Sequence, residues 1–160
     1  MKVRRLTVAD LPAVLELERL LFADDAWSES TYREELADTA GTRHYFLVEE
    51  DGLLIGWAGL ATVGSQGDVL TIGVRPESQG RGVGTRLLTA LLDEATVRGC
   101  GEVFLEVRAD NDRARRLYER FGFASVGIRK RYYQPSGVDA IVMVRQAQPA
   151  AHEVRREAGR

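Results

Sequence analysis

The sequence has 160 residues and a formal net charge of −2, with 22 Lys and Arg residues against 24 Asp and Glu residues. This length fits one domain with a single core, and the balanced, dispersed charge argues against a nucleic-acid-binding surface. The lone cysteine, Cys100, excludes an internal disulfide, and the two histidines lack metal-ligand spacing, so we expect no metal. Since no apolar run is long enough to span a bilayer, we expect a cytoplasmic protein without membrane contact.

The first half of the chain predicts a strand, two helices and three strands. The segment KVRRLTV alternates as a strand does, Thr7 and Asp10 have the spacing of a helix capping box, and Ser28 can cap a second helix. Three β-rich runs follow, RHYFLVEE, LLIGWAGLATV and DVLTIGV, separated by the turn residues at 51–52 and 64–67. These runs predict an antiparallel meander.

The second half predicts helices and strands in alternation. Residues 81–98 carry apolar side chains at helical spacing, EVFLEVR reads as a strand, and NDRARRLYERF reads as a helix capped by Asn111 or Asp110. Two closing strands complete an α/β domain with the order β-α-α-β-β-β-α-β-α-β-β. We expect one domain over residues 1–146 and a flexible tail over residues 147–160, which is polar and has no apolar stripe.

Three glycines, Gly80, Gly82 and Gly84, lie between a predicted strand and the clearest predicted helix. A glycine-rich turn into a helix exposes unpaired N–H groups beside the positive end of the helix dipole, which favours phosphate. The spacing matches neither the dinucleotide fingerprint nor the P-loop. On the glycines alone, a turn that serves only sterics is an equally good interpretation.

The segment VRPESQGRGVGTRLL resembles the acetyl-CoA signature of the Gcn5-related N-acetyltransferase (GNAT) superfamily, at Gln79, Gly82 and Gly84. The predicted element order is also that of this superfamily, so the resemblance implies the GNAT fold, a mixed sheet whose strands splay around acetyl-CoA. It implies that the Val74 N–H polarises the thioester carbonyl and that Arg81 and Arg86 add positive charge. The cofactor-binding residues that it implies are Ile72, Gly73, Val74, Gln79, Gly80, Arg81, Gly82, Val83, Gly84, Thr85 and Asn111.

Within the superfamily, LEVRADNDRARRLYERFGF at 105–123 resembles the ribosomal-protein alanine N-acetyltransferases of the RimI type. An α-amine has a pKa near 8, so only about a tenth is free base at pH 7 and a general base is needed; a leaving thiolate needs an acid. The resemblance assigns the base to Glu106, the acid to Tyr118 and a cofactor contact to Asn111. Without it, Glu106 can be a solvated strand residue, Tyr118 a core aromatic and Asn111 only a helix cap.

The resemblance implies that the substrate is a protein N-terminus, the N-terminal alanine of ribosomal protein S18 or a similar one. Candidate substrate walls are Trp27, Tyr32, Tyr132 and Tyr133, although ordinary packing explains these aromatic residues equally well. With Cys100 outside the motif, we expect direct transfer in a ternary complex. Acetylation of a small-molecule amine and a non-catalytic acyl-CoA-binding module stay open as alternatives, as does a monomer or a weak dimer through a strand edge of the closing hairpin.

Overall fold

The computed structural model of the protein describes residues 1–147, so the predicted tail lies outside the described residues except for Ala147. The helices and strands follow the predicted order, and the predicted α/β fold class is confirmed. No helix among the described residues is long and apolar enough to cross a membrane. The elements are β1 Lys2–Arg5, α1 Leu11–Phe22, α2 Glu29–Leu36, β2 Arg43–Glu50, β3 Leu53–Val63, β4 Gln66–Val74, α3 Val83–Val97, β5 Glu102–Arg108, α4 Asp112–Arg120, β6 Ala124–Tyr133 and β7 Val138–Gln146.

Short polar side chains start the helices where the sequence indicates. The Thr7 N–H donates to Asp10 Oδ2 at 2.8 Å across a single 3-10 turn, and α1 begins one residue later. Ser28 Oγ accepts the Thr31 N–H at 3.2 Å at the start of α2. Asn111 Oδ1 accepts the Ala114 N–H at 3.1 Å, so Asn111 is the cap of α4 and Asp110 is not.

The described strands form one seven-stranded sheet with the order β1-β2-β3-β4-β5-β7-β6. Neighbouring strands are antiparallel except β4 and β5, which run parallel because α3 connects them. In the described chain, β4 and β5 pair from Gln66–Asp68 to Glu102–Phe104, and beyond those residues they separate. The predicted splay is therefore present in the middle of the sheet.

Helices cover both faces of the sheet. The central strand β3 is buried from Leu54 to Thr62, as expected for a strand covered on both sides. One core cluster joins α3 and α4 to one face, and the other joins α1 and α2 to the opposite face. Successive residues of β3 show the division: Trp57 belongs to the α1 side and Ala58 to the α3 side. The splay of β4 and β5 therefore lies within a sheet that has helices on both faces.

Candidate active site

A cleft of about 220 Å³ opens where β4 and β5 separate. Residues 69–72 of β4 form one side and residues 105–108 of β5 form the other. The backbone groups that face across the gap have lost their strand partner, and such an edge can hydrogen-bond an extended ligand. The remaining lining residues come from α1, α4, the chain segments beside them and the end of β6: Glu18, Phe22, Asp25, Trp27, Asn111, Ala114, Tyr118 and Tyr133.

A second cavity, of about 520 Å³, adjoins the cleft and extends along the glycine turn. The two cavities share Ile72, Asn111, Ala114 and Tyr118 as lining residues, so together they form one groove. The groove runs from the start of α3, past α4, to the closing hairpin. The second cavity is lined in addition by Val74, Gln79, Gly80, Gly82, Val83, Gly84, Thr85, Arg113, Arg116, Leu117 and Arg120.

The N–H of Val74 faces the groove. The neighbouring Arg75 N–H donates to Ile55 O of β3 at 2.8 Å, and successive N–H groups of a strand point to opposite edges. Gln79 Nε2 donates to Val74 O at 3.3 Å on that same edge. The backbone of β4 therefore offers a hydrogen-bond donor at the end of the splay.

The turn before α3 is shaped as an anion cradle. Gly80 and Gly82 have φ angles of 78° and 84°, which side-chain-bearing residues rarely adopt. The first intrahelical bond of α3 runs from the Arg86 N–H to Gly82 O at 3.1 Å, so the preceding N–H groups of the first turn have no helical partner. A Cβ on Gly80 would lie 3.1 Å from Arg113 Nη2, and this places a guanidinium of α4 beside the turn.

Glu106 opens into the cleft from β5, with 27% of its side chain exposed. Arg129 Nε of β6 lies 3.0 Å from Glu106 Oε1, a partner that sequence reasoning missed. The pKa of Tyr132 is raised, mainly by its interaction with the Glu106 carboxylate. Burial, and after it Glu106, raises the pKa of Tyr133 to about 12. The closing hairpin thus surrounds the carboxylate with one guanidinium and two phenols.

Tyr118 borders both cavities and is 4% exposed. Its ring packs edge-on against Phe123, with ring centroids 6.0 Å apart, so it is a core aromatic as well as a groove residue. Burial, and after it the nearby Tyr133, raises the pKa of the Tyr118 phenol. In the described chain no residue accepts a hydrogen bond from its hydroxyl. Burial thus favours the protonated phenol on a side chain that borders the groove.

Of the four predicted substrate walls, Trp27 and Tyr133 line the cleft, and Tyr132, 47% exposed, stands edge-on against Tyr133.

Arg108 contacts both Asp25 and Tyr133, which line the cleft. Its Nη1 lies 3.2 Å from Asp25 Oδ2, and its guanidinium lies 5.2 Å from the Tyr133 ring centroid.

The prediction of a substrate wall is wrong for Tyr32, which is fully buried behind Trp27. Its hydroxyl donates to Glu18 and accepts the Trp57 Nε1–H at 2.8 Å, because a buried carboxylate needs donors around it. Glu18 Oε2 also accepts the Trp27 N–H at 3.1 Å, and burial raises the pKa of the Glu18 carboxyl. Sequence reasoning missed Glu18, although a glutamate within the apolar stripe of a helix is a usable signal.

Two predicted cofactor residues do not line the groove. The Arg81 guanidinium pairs with both oxygens of Glu50, at 3.0 and 2.9 Å, because the opposite charge on β2 lies within its reach. Gly73 is buried beneath Trp57, whose ring lies 2.6 Å from the position of a Cβ. The other predicted cofactor residues line the two cavities: Ile72, Val74, Gln79, Gly80, Gly82, Val83, Gly84, Thr85 and Asn111.

Among residues 1–147, the His, Cys, Asp and Glu side chains form no group of three that could hold a metal ion. His44 is buried, with Nε2 2.9 Å from Thr62 Oγ1 and Nδ1 3.4 Å from Glu94 Oε1. Cys100 is buried in the core cluster of α3. Both side chains pack away from the groove.

The fold and the groove are those of an acetyltransferase. The model of the acetyltransferase (GNAT) family matches residues 11–123, from the start of α1 to just beyond α4. The chain belongs to this family and is an N-acetyltransferase.

Its relatives define the branch within the family. N-alpha-acetyltransferase RimI of Mycobacterium tuberculosis is 47% identical over 147 residues, which cover 89% of this chain and 90% of the relative. The crystal structure of the ribosomal-protein-S18-alanine N-acetyltransferase from Escherichia coli has a TM-score of 0.83 at 33% identity, over 94% of this chain and 96% of that one. The chain is accordingly a RimI-type member of the GNAT family.

Family neighbours bind acetyl-CoA or CoA. One of them, yncA from Salmonella typhimurium, was solved with its cofactor acetyl-CoA. It matches with a TM-score of 0.79 at 23% identity, over 94% of this chain and 98% of that one, and at this identity the likeness shows the fold.

Proposed function

We propose that this acetyltransferase transfers the acetyl group of acetyl-CoA to the α-amine of a protein N-terminus, with the N-terminal alanine of ribosomal protein S18 as its substrate. The observation that carries the proposal is the groove itself, which joins a phosphate cradle at the start of α3 to a cleft bordered by Glu106 and Tyr118. The choice of substrate is supported by the names of the relatives, one of which acts on ribosomal protein S18.

The residues of the groove fit acetyl-CoA, which supplies a thioester-activated acetyl group when bound. Free N–H groups at the start of α3, together with Gly80 and Gly82 in their left-handed conformation, suit a diphosphate. The open edge of β4 suits the amide groups of pantetheine. The Val74 N–H would donate to the thioester oxygen and stabilise the negative charge that develops there.

Glu106 acts on the amine. A substrate ammonium that enters the cleft gives up a proton to the Glu106 carboxylate, directly or through water, and the free amine then attacks the thioester carbonyl. Arg129 holds that carboxylate in the absence of substrate, and its guanidinium is mostly exposed. The incoming ammonium therefore competes with Arg129 for Glu106.

Tyr118 acts on the leaving group. As the new C–N bond forms and the C–S bond breaks, the thiolate takes the proton of the Tyr118 phenol. Burial keeps this phenol protonated, and its hydroxyl has no acceptor among the described residues. The amine nitrogen loses two protons in all. Glu106 takes the first before attack and passes it to solvent, and the second, lost from nitrogen as the C–N bond forms, returns to the Tyr118 phenolate directly or through water, which balances the transfer.

The pKa values of the two amines also favour an α-amine over a lysine side chain as the substrate. At neutral pH a lysine amine, with a pKa about 10.4, is roughly several hundredfold less often free base than an α-amine. Trp27 and Tyr133 flank the cleft and can enclose the first residues of a peptide. We further propose that residues 1–146 act as one catalytic domain and that this domain meets its ribosomal substrate in the cytoplasm.

The test measures CoA release and product mass for peptides that differ in their first residue, together with an N-terminally blocked peptide that carries a lysine. We expect acetylation of the α-amine of the alanine peptide. The Glu106→Gln variant should lower kcat/KM by roughly 10²–10⁴-fold, because the amide accepts no proton from the ammonium. Acetyl-CoA binding, measured by calorimetry, should not change in this variant.

Two outcomes would contradict the proposal. Acetylation of only the blocked lysine peptide, or of polyamines and aminoglycosides in preference to peptides, would assign another substrate class. An active Glu106→Gln variant would move the base to another residue, and binding of acetyl-CoA without any transfer would indicate a non-catalytic module.

A further inference from the structure

The solvent-facing side of α4 carries an arginine stripe, defined as Arg113, Arg116 and Arg120, along the second cavity. Their spacing of three and then four residues puts them on one face of the helix. The described residues that line this cavity include these three arginines and no aspartate or glutamate. The cavity therefore has a strongly positive wall opposite the glycine turn, and neither the sequence motif nor the family match assigns a role to that wall.

The three arginines differ in their surroundings. Arg113 Nη1 donates to Gln79 Oε1 at 3.0 Å, and its guanidinium lies beside Gly80. The Arg113 side chain therefore contacts the glycine turn. Within residues 1–147, Arg116 and Arg120 have neither an ion pair nor a side-chain hydrogen bond, and both are exposed. They lie about one and two helical turns beyond Arg113, at 1.5 Å of rise per residue.

A further arginine of α4, Arg115, has ion pairs within the helix and serves as a comparison. Arg115 lies off the cavity, with Nη2 2.8 Å from Asp112 Oδ1 and Nε 3.8 Å from Glu119 Oε1. Its charge is compensated within α4, whereas the charges of Arg116 and Arg120 are directed to the cavity without compensation. Guanidinium groups suit phosphate oxygens, which they can bind in a bidentate manner.

We propose that Arg116 and Arg120 bind the phosphate monoester on the ribose 3′ position of acetyl-CoA. This inference rests on the proposed function, which puts the diphosphate of the same molecule at the glycine turn. The ribose that carries the diphosphate also carries the 3′-phosphate, so the two anionic groups reach neighbouring stretches of one wall. A phosphate monoester carries nearly two negative charges at pH 7, more than either single phosphate of the diphosphate bridge.

The experiment compares CoA with 3′-dephospho-CoA by isothermal titration calorimetry on the full chain. We expect the wild-type protein to bind CoA roughly tenfold or more tightly, as expected for at least one charged hydrogen bond. The Arg116→Gln/Arg120→Gln double variant should bind the two ligands equally, because it loses affinity for CoA alone. The Arg115→Gln control should discriminate as the wild type does.

Inhibition gives a second readout that does not need the thioester. Adenosine 3′,5′-bisphosphate should inhibit turnover better than adenosine 5′-monophosphate in the wild type and in Arg115→Gln, and equally poorly in the double variant. Circular dichroism spectra that match the wild type show that the variants are folded.

Equal binding of CoA and 3′-dephospho-CoA by the wild type would overturn the assignment, as would discrimination that persists in the double variant or is lost in Arg115→Gln. In each of these cases acetyl transfer would still stand. Failure of the wild-type protein to bind CoA at all would overturn the proposed function, and the inference with it.

Discussion

Under the proposed function, Tyr118 serves both packing and chemistry. Its ring contributes to the core beside Phe123, and its hydroxyl is the part that meets the groove. Burial that stabilises the fold also raises the pKa of the phenol, so the core maintains a proton donor at pH values where an exposed tyrosine begins to ionise.

Replacement of Tyr118 by phenylalanine tests this dual role. The ring and its packing remain, so we expect a melting temperature within a few degrees of the wild type, while kcat falls by roughly 10²–10⁴-fold because the thiolate lacks its proton donor. An ordinary tyrosine has a pKa of about 10, and burial raises the pKa of Tyr118 above that value. In the wild type, Tyr118 should therefore stay protonated and kcat should not decline up to about pH 10.

Stopped-flow or steady-state rates over pH 7–10 provide the measurement, with calorimetric melting as the control for packing. A decline of wild-type kcat between pH 8 and 9.5 that disappears in Tyr118→Phe would mean that the phenol ionises too early to be the acid.

Side chains that sequence reasoning found differ in kind from those that it missed. Glu106 and Tyr118 stand in a local motif, where spacing along the chain is enough to recognise them. Arg129 lies 23 positions after Glu106 and reaches it only because β5, β7 and β6 are adjacent in the sheet. The burial of Tyr32 likewise depends on Glu18 and Trp57, which come from two other elements.

Among the elements, α3 and α4 together form the groove, and their contact requires a glycine. A Cβ on Gly84 would lie 3.1 Å from Leu117 Cδ2, closer than ordinary van der Waals contact. The absence of a side chain at this position therefore sets how near α4 lies to the phosphate cradle. Local patterns predicted both helices correctly, but not this distance between them, which is a property of the packed pair.

The Gly84→Ala variant should raise the KM for acetyl-CoA several-fold with a smaller change in kcat, because the added methyl group displaces Leu117 and moves α4 away from the turn. Truncation in the Gly84→Ala/Leu117→Ala double variant should restore part of the lost affinity, as expected for residues in contact. The readout is initial-rate kinetics with varied acetyl-CoA.

Leu117→Ala alone serves as the matched control. Additive effects of the two substitutions on KM would argue that Gly84 acts through the turn backbone and not through α4.

For the molecule as a whole, the central feature is a sheet that divides in its middle. The antiparallel meander of the first half and the splay follow from the sequence patterns and the resemblance, and the structure agrees with them; the spatial order of β5, β7 and β6 was not predicted. On the side of the splay, the backbone N–H and C=O groups of Ile72 and Val74 nevertheless have no strand partner. Unpaired backbone groups cost free energy, and a folded sheet normally avoids them. Under the proposed function, pantetheine supplies the missing partner.

Binding of acetyl-CoA should therefore stabilise the entire fold. At a ligand concentration about a hundred times the Kd, the free energy of unfolding should rise by about 2.7 kcal/mol, or roughly 5–10 °C in Tm for a chain of this size. Hydrogen exchange resolved by residue should slow at Ile72 and Val74 by more than this global increase explains.

Protection that is uniform along the chain, without an excess on β4, would indicate binding elsewhere. The outer strand β1 is the internal control, because it lies at the far edge of the sheet from the splay.

Under the proposed function, a sheet that its own substrate completes would link metabolism to protein lifetime. Proteases attack opened molecules, and the opened fraction falls as ligand binding rises. More copies of this enzyme would then open and be degraded when acetyl-CoA is scarce, and fewer when it is plentiful. The cell's acetyl-CoA pool would then determine how long each copy survives as well as how fast it works.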